Sequence, residues 1–253
     1  MKLSTDQILN AASDMVQRKV KDTALKHLDI GPGHGDLISL LRSQYSDISS
    51  SACDYTTTLM QLLDVPIKVV DLNTQGLPYG DEAFNLITCT EVIEHLENHR
   101  RLIREIYRVL SPGGTTVITT PNILNLKSRV RFFFFGFQNL FGPLHFRESE
   151  LHSTGGHINP VSLFYLFHAL ADAGFEEVDL AIDKTQKSSF FWGLIFYFPI
   201  IAFAWFIKRK EIAKFKTIDK FNKPFVDMIN AWSVLTGRTI VVGCKKPATN
   251  VFI

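Results

Sequence analysis

The chain has 253 residues, a formal net charge of +2 and three cysteines. That length allows one large α/β domain or two small ones with a substantial core, and the near-balanced charge offers no concentrated basic surface of the kind nucleic acid needs. Cys53, Cys89 and Cys244 are odd in number, far apart and without metal-like spacing, which argues against a disulfide framework and reads as buried small residues in a reducing compartment.

The first residues lack the apolar run of a signal peptide, so the chain is expected to start in the cytosol. Ser4 and Gln7 have capping-box spacing, and Ile8, Ala11, Ala12, Met15 and Val16 recur on one face of a helix. From residue 24 short β-like runs alternate with helical ones, the pattern of a parallel sheet covered by helices. Strands are expected at 24–30, 50–54, 67–72, 84–90 and 115–120. A helix at 37–44 follows the first strand, and one at 97–110, with Leu102, Ile103, Ile106, Tyr107 and Leu110 on one side, stops at Ser111-Pro112-Gly113-Gly114. Asn159 and Pro160 read as the cap and first position of a further helix burying Leu163, Phe164, Leu166, Phe167 and Leu170 and ending at Gly174. Strands at 175–183 and 239–244 complete the count. No repeat, low-complexity tract or linker interrupts the chain, which favours a single domain over 1–253 with insertions at about 121–158 and 186–236.

The first strand runs into Asp29-Ile30-Gly31-Pro32-Gly33-His34-Gly35. In an open α/β sheet the ligand lies beyond the carboxyl ends of the strands, and this turn supplies its cradle. Alternate glycines let backbone approach a ligand closely, and the helix N-terminus behind them favours an anionic group. The spacing is G-x-G-x-G after an acid, not the G-x-G-x-x-G of dinucleotide folds. Asp54 closes the second strand, Asp71 the third, and Thr90-Glu91-Val92-Ile93-Glu94-His95-Leu96 follows the fourth.

In that order these motifs, over 26–120, resemble the class I S-adenosylmethionine-dependent methyltransferases, and the Glu91-to-His95 phrase is similar to that of the ubiquinone-biosynthesis O-methyltransferases. The resemblance implies an enzyme with a Rossmann-like, doubly wound, mostly parallel seven-stranded sheet, its last two strands an antiparallel pair with 239–244 beside the fifth strand. It implies S-adenosylmethionine as cofactor, with Gly31, Gly33 and Gly35 beneath the methionine part and Asp29 bracing the loop and facing its ammonium. Asp54 would accept from both ribose hydroxyls, Tyr55 would flank adenine or ribose, Asp71 would accept from the adenine amino group, the amide of Leu72 would meet a ring nitrogen, and Thr90 would complete the wall. Each acid suits its task because an ionised carboxylate is an acceptor with two oxygens.

If Glu91 opened a helix, Glu91, Glu94 and His95 would share one face and could hold a divalent cation. The same carboxylates also suit a helix N-terminus, and the reading adopted is a site without metal. Methyl transfer is an in-line attack whose catalysis is largely alignment, and a hydroxyl acceptor needs a base, for which histidine is suited. His95, His157 and His145 are the candidates, with His152 in the same polar segment.

Phe190 to Ile207 contains no charge and stops at Lys208-Arg209-Lys210. At 1.5 Å per residue it reaches roughly 27 Å, close to the thickness of a hydrocarbon core, but a single crossing would strand 239–244 on the wrong side of the membrane. A second aromatic run, 126–144, leaves the fifth strand at the same rim. Both border basic residues, Lys127, Arg129 and Arg131 on one and Lys208 to Lys223 on the other, the composition of segments lying in an anionic headgroup layer. Pro199 is expected to kink the longer one into a hairpin. The expectation is therefore a peripheral protein on the cytoplasmic face of a membrane with a lipophilic acceptor, a prenylated quinol or phenol or a lipid-linked glycan. A soluble acceptor under an aromatic lid, and a noncatalytic S-adenosylmethionine-binding membrane protein, are the alternatives.

Overall fold

The computed structural model describes residues 5–22, 24–144 and 156–248. Seven strands form one sheet in the order β3-β2-β1-β4-β5-β7-β6: β1 (Ala24–Ile30), β2 (Asp47–Asp54), β3 (Ile67–Val69), β4 (Phe84–Thr90), β5 (Leu110–Pro121), β6 (Glu176–Ile182) and β7 (Thr239–Lys245). Strands β1 to β5 are parallel, and β7 runs antiparallel between β5 and β6. The carboxyl ends of β1 to β6 and the start of β7 therefore share one rim.

Alternation along the central strands separates two cores. Leu86, Val117 and Val241 face α1 (Asp6–Lys19) and α2 (Asp36–Gln44), where Leu9, Ala12, Met15, Val16, Leu37 and Leu41 cover them. Their neighbours Ile87, Ile118 and Val242 face α3 (His99–Val109) and α5 (Leu163–Ala173) through Leu102, Ile103, Ile106, Leu166, Phe167 and Leu170. The three cysteines are buried thiols inside this packing.

Some boundaries depart from the sequence reading. Gln7 caps nothing: helix α1 starts at Asp6, and the Gln7 side chain accepts from Lys184 Nζ at 2.6 Å; Ser4 lies outside the described residues. Helix α5 starts after Ser162, not at Pro160, because Asn159 is used elsewhere, its amide donating to the Glu94 carbonyl and its side chain to the Leu96 carbonyl, both at 2.9 Å.

Two excursions leave the shared rim. Helix α4 (Leu126–Phe135) follows β5, and α6 (Lys187–Lys210) follows β6, continuing through a π-type turn, α7 (Lys223–Met228) and α8 (Trp232–Thr236) into β7. Pro199 lies inside α6 and does not fold it into a hairpin. A proline removes one donor and bends a helix, and the remaining turns hold the segment straight enough to run its full 24 residues.

Helix α6 touches the body along one stripe, Ser189, Gly193, Tyr197, Ile200, Ala204 and Lys208, spaced by three or four residues. At its base the Lys127 amide donates to Ser189 Oγ at 3.1 Å, and the rings of Phe190 and Tyr197 stand edge-on to Trp232 at 5.7 and 5.2 Å. At its far end Lys208 pairs with Asp227, which also holds Lys223 at 2.7 Å, and α7 is anchored by Phe225 against Phe167 of the core. Both ends are thus tied to the same body. Elsewhere the helix is bare: only 6% of its most apolar 18 residues is buried. Helix α6 does not close over the fold as a lid.

Gly193 is the tightest point of this seam, since a Cβ there would come within 2.7 Å of Trp232 Cη2 and 3.6 Å of Leu126 Cδ1. Gly193→Leu should lower stability by about 1–3 kcal/mol through overpacking, read as a shift in the urea midpoint. An unchanged midpoint would show that α6 does not seat on Trp232.

Candidate active site

A cavity of about 270 Å³ opens at the shared rim, walled by Gly31, Gly33, Asp54, Asp71, Leu72 and Thr90 on one side and by Glu91, Val92, His95, Leu140, His157 and Arg238 on the other. Gly31, Gly33 and Gly35 all take left-handed backbone angles, φ of 70°, 54° and 88°. The sequence G-x-G-x-G is what such an alternation demands, because side chains resist that region. At Gly31 a Cβ would also strike Val92 Cγ2 at 2.4 Å, so this glycine keeps open the place where the loop meets the β4 turn.

Asp29 does not line the cavity. It is fully buried beneath the loop, where the Thr88 hydroxyl donates to its Oδ1 at 2.7 Å. Since that hydroxyl has one proton, it accepts from His27 Nε2 at 2.7 Å, which leaves His27 Nδ1 to accept from Ser50 Oγ at 3.2 Å. A chain of four side chains from β1, β2 and β4 thus braces the loop from below. Burial drives His27 down to about 3, with Arg42 adding to the shift, so the imidazole is neutral as this polarity requires. Asp29 Oδ2 remains without a partner. Gly35 likewise sits outside the cavity, flanking α2, with Leu62 and Met60 against the position of its missing side chain.

The other acids stand where the strand ends put them. Asp54 Oδ1 accepts from the Tyr55 amide at 2.6 Å, and burial raises its pKa while that bond and one from Thr56 lower it. Asp71 folds the following turn, accepting from the Asn73 amide and the Thr74 hydroxyl, each at 2.9 Å. A carboxylate has further lone pairs to offer a ligand. Tyr55, Leu72 and Thr90 line the cavity as expected.

The phrase after β4 does not begin a long helix. It makes one 3-10 turn, Ile93–His95, preceded by Glu91 in a left-handed conformation at φ 55°. Glu91 is held there by its amide, which reaches the Thr119 carbonyl and hydroxyl at 3.2 and 3.1 Å, while Thr119 Oγ1 contacts Glu91 Oε1 at 3.1 Å. Its carboxyl therefore points toward β5, and Glu91, Glu94 and His95 share no face. Instead Glu94, His95 and His157 each bring one ligand atom within 4.8 Å of the others. Glu94 is fully buried, accepts from the Thr120 hydroxyl at 3.1 Å through Oε2, and has no partner for Oε1. This set has donors for a divalent cation, and without one the buried carboxyl is pushed well up by desolvation and by Glu91.

His95 and His157 stack edge to face at 4.8 Å. His95 Nδ1 lies 3.0 Å from the Gly156 carbonyl, which can only accept, so Nδ1 carries the proton and Nε2 the lone pair. Burial lowers the His95 pKa, partly offset by that carbonyl. His157 is lowered to about 4, by burial first and by His95 second, and its ring leans on Phe141. The structure brings His95 and His157 together; His145 and His152 lie outside the described residues.

Sequence reasoning missed Arg238, Leu140 and the bracing chain below the loop. Arg238 was within reach: it precedes a strand expected to run antiparallel beside the fifth, which lands its first residue on the rim.

A family model described as "Methyltransferase domain" matches residues 6–180. The chain belongs to this methyltransferase family. Its curated relatives include a demethylmenaquinone methyltransferase of Thermus thermophilus, 23% identical over 126 residues, covering 45% of this chain and 57% of that protein. A ubiquinone biosynthesis O-methyltransferase of Rickettsia typhi is 29% identical over 103 residues, 39% of this chain and 42% of that one. The methyltransferase chain thus spans about half the length of these relatives. Among solved structures, phosphoethanolamine N-methyltransferase 2 of Haemonchus contortus, in complex with S-adenosyl-L-methionine, aligns at TM-score 0.54 and 18% identity over 94% of this chain and 52% of that one. The [4+2]-cyclase SpnF aligns at 0.56 and 18% over 95% and 81%. Likeness at that identity establishes the class I methyltransferase fold, and the cyclase shows that the fold alone does not set the chemistry.

The cavity suits S-adenosylmethionine: a cradle that any Cβ at Gly31 would obstruct, acids on the wall to meet a cationic ligand, and strand-end acceptors at Asp54 and Asp71. Burial raises Asp29 to about 7, against the Thr88 bond and with a contribution from Asp54. Its native pKa lies above its unfolded one, so its stabilisation is complete below pH ~4 and is lost as pH rises through about 7. Relative to Asp29→Asn, the ligand-free wild type should lose stability between those values, at up to about 1.4 kcal/mol per pH unit, and run parallel above pH ~8. Parallel urea-midpoint curves throughout would refute a buried, proton-holding Asp29.

Proposed function

We propose that this chain transfers a methyl group from S-adenosylmethionine to a hydroxyl of a lipophilic acceptor, working as a peripheral protein on the cytoplasmic face of a membrane. The observation that carries this reading is the bare apolar length of α6, tied along the rim at which the cavity opens.

When bound, the cofactor supplies an electrophilic methyl group on a cationic sulfur. Asp54 would accept from the ribose hydroxyls, Tyr55 would cover that end, Asp71 and the Leu72 amide would meet the adenine edge, and Gly31 and Gly33 would pass beneath the methionine part. The methyl group would pass to the acceptor oxygen, leaving the sulfur neutral. The acceptor's proton passes to His95 Nε2, whose lone pair is fixed by the Gly156 carbonyl on the opposite nitrogen. His157 packs against His95 and keeps that side of the cavity narrow.

A helix apolar all round is normally covered by protein or lipid. Here Phe198, Phe203 and Phe206 are 80%, 70% and 64% exposed, and Phe133 and Phe134 of α4 are 81% and 79% exposed at the same rim. A span is disfavoured because Ser189 and Lys208, at opposite ends of α6, bond to the same body. Cations border the apolar surface, with Arg209 over the Trp205 ring at 4.4 Å and Lys210 and Lys214 beside Phe215, as in a helix lying in an anionic headgroup layer. Arg129 does not join them: it is a strut, donating to the Leu124 and Ile229 carbonyls at 2.7 and 3.2 Å. Two relatives are named for demethylmenaquinone methylation and for ubiquinone biosynthesis, and a prenylated quinol or phenol, or a lipid-linked glycan, fits an entrance that faces lipid.

Incubation with labelled S-adenosylmethionine and a total membrane extract should place label in the organic phase; label in water-soluble acceptors alone would defeat the lipophilic acceptor. Asp54→Ala should weaken S-adenosylhomocysteine binding about tenfold or more by calorimetry, and unaltered affinity would remove Asp54 from the site. Replacing Phe198, Phe203 and Phe206 by Ser should cut partition onto anionic vesicles about a hundredfold or more, at ~1.5 kcal/mol for each lost side chain. Equal partition in sedimentation would contradict the membrane reading.

A further inference from the structure

The cofactor half of the cavity is built from acids, yet its wall also holds one guanidinium. Among the described residues Arg238 is the only lysine or arginine lining the cavity. It is half-buried, and its side chain makes no hydrogen bond, ion pair or ring contact among the described residues. Every other arginine among them donates to a carbonyl, carboxylate or imidazole or lies over an aromatic ring. The five N–H donors of Arg238 are thus left to solvent or to a ligand.

Its place is nevertheless rigidly set. Asn122, buried at the end of β5, donates from Nδ2 to the carbonyls of Val234 and Gly237 at 2.7 and 2.9 Å. Its amide takes the Arg238 carbonyl at 3.0 Å, and the Arg238 amide takes the Lys184 carbonyl after β6 at 3.1 Å. Gly237 admits no side chain, since a Cβ would meet Ile182 Cγ2 at 2.5 Å. The turn before β7 is therefore clamped from both neighbouring strands, and what it presents at the rim is Arg238. Two acids stand nearby: Glu91, bonded to Thr119, whose carboxyl Arg238 pulls down at a distance against its burial, and Asp183, whose Oδ1 accepts from the Thr239 amide at 2.8 Å. Neither makes a direct ion pair with Arg238 among the described residues.

Strand order locates this cation relative to the reaction. Along the rim come Asp71 after β3, Asp54 after β2, the glycine loop after β1, Thr90 and Glu91 after β4, then β5 and Arg238 at β7. With strands about 4.8 Å apart and β5 between them, the start of β7 lies roughly 10 Å from the end of β4, on the side away from Asp71 and Asp54. This is the acceptor side, beyond the end of the wall suited to the sulfonium.

We infer that Arg238 recognises a carboxylate or phosphate on the methyl acceptor, so that the acceptor is an anionic amphiphile whose charged head enters the cavity while its apolar part lies along α6. A guanidinium pairs with such groups in bidentate fashion, and the clamped backbone beneath this one leaves only its side chain to be ordered on binding. This inference rests on the proposed function and names the chemistry of its acceptor.

The test uses the full chain loaded with S-adenosylhomocysteine and calorimetry with octyl phosphate, octanoate and octanol below their micellar concentrations, plus inorganic phosphate. Wild type should bind octyl phosphate or octanoate at least about tenfold more tightly than octanol. Arg238→Gln should lose that preference, Arg238→Lys should keep part of it, and both should bind S-adenosylhomocysteine within about twofold of wild type, which reports an intact fold. Octyl phosphate outbinding inorganic phosphate assigns the anion to a lipid amphiphile; equal binding assigns it to a soluble acceptor and retains the anion site. A wild type without preference, or Arg238→Gln retaining it, overturns the assignment of Arg238. Failure of wild type to bind S-adenosylhomocysteine would instead overturn the proposed function itself, and this inference with it.

Discussion

The antiparallel insertion of β7 between β5 and β6 is the constraint on which the rest depends. Six strands end on one rim and β7 begins there, so the chain leaving β6 must come back to the place it left. That return brings α7 and α8 back toward the rim and delivers Arg238 to the cavity wall. A parallel seventh strand would start at the other rim and bring none of them there.

What the sequence made legible followed from local rules with one solution. Alternating glycines after a strand-end acid mean a left-handed loop, and all three take positive φ. Short β-like runs alternating with helical ones predicted a parallel sheet covered by helices, and the neighbours Leu86-Ile87 and Val241-Val242 face its two covers. That 239–244 lies antiparallel beside the fifth strand required the family resemblance, and the sheet has it there. The illegible parts are those where a long-range bond overrides a local preference. Glu91 looks like the start of a helix, but Thr119, 28 residues away, turns it into a left-handed kink. Asn159 looks like a cap but is drawn onto the Glu94 and Leu96 carbonyls. Asp29 was legible as a brace, but its neighbours in that task, His27, Thr88 and Ser50, lie on three strands and carry no motif.

Two opposed demands shape the rim. The loop that cradles a polar cofactor needs buried, satisfied polar side chains, and the chain from Ser50 to Asp29 supplies them beneath it. Beside it α6 leaves most of its aromatic surface unsatisfied, which a protein alone in water tolerates poorly. The contact seam at Gly193 and Trp232 fixes the apolar helix against the body. In the proposed function, lipid contact and acceptor entry would both follow from that geometry.

The most direct measurement is quenching of Trp205 by bromine-labelled phospholipid in anionic vesicles, taken as the difference between wild type and Trp205→Phe. The account predicts strong quenching of a blue-shifted Trp205 component, with S-adenosylhomocysteine still bound. Vesicle-bound protein whose Trp205 emission is untouched by bromine would place α6 away from lipid and contradict it.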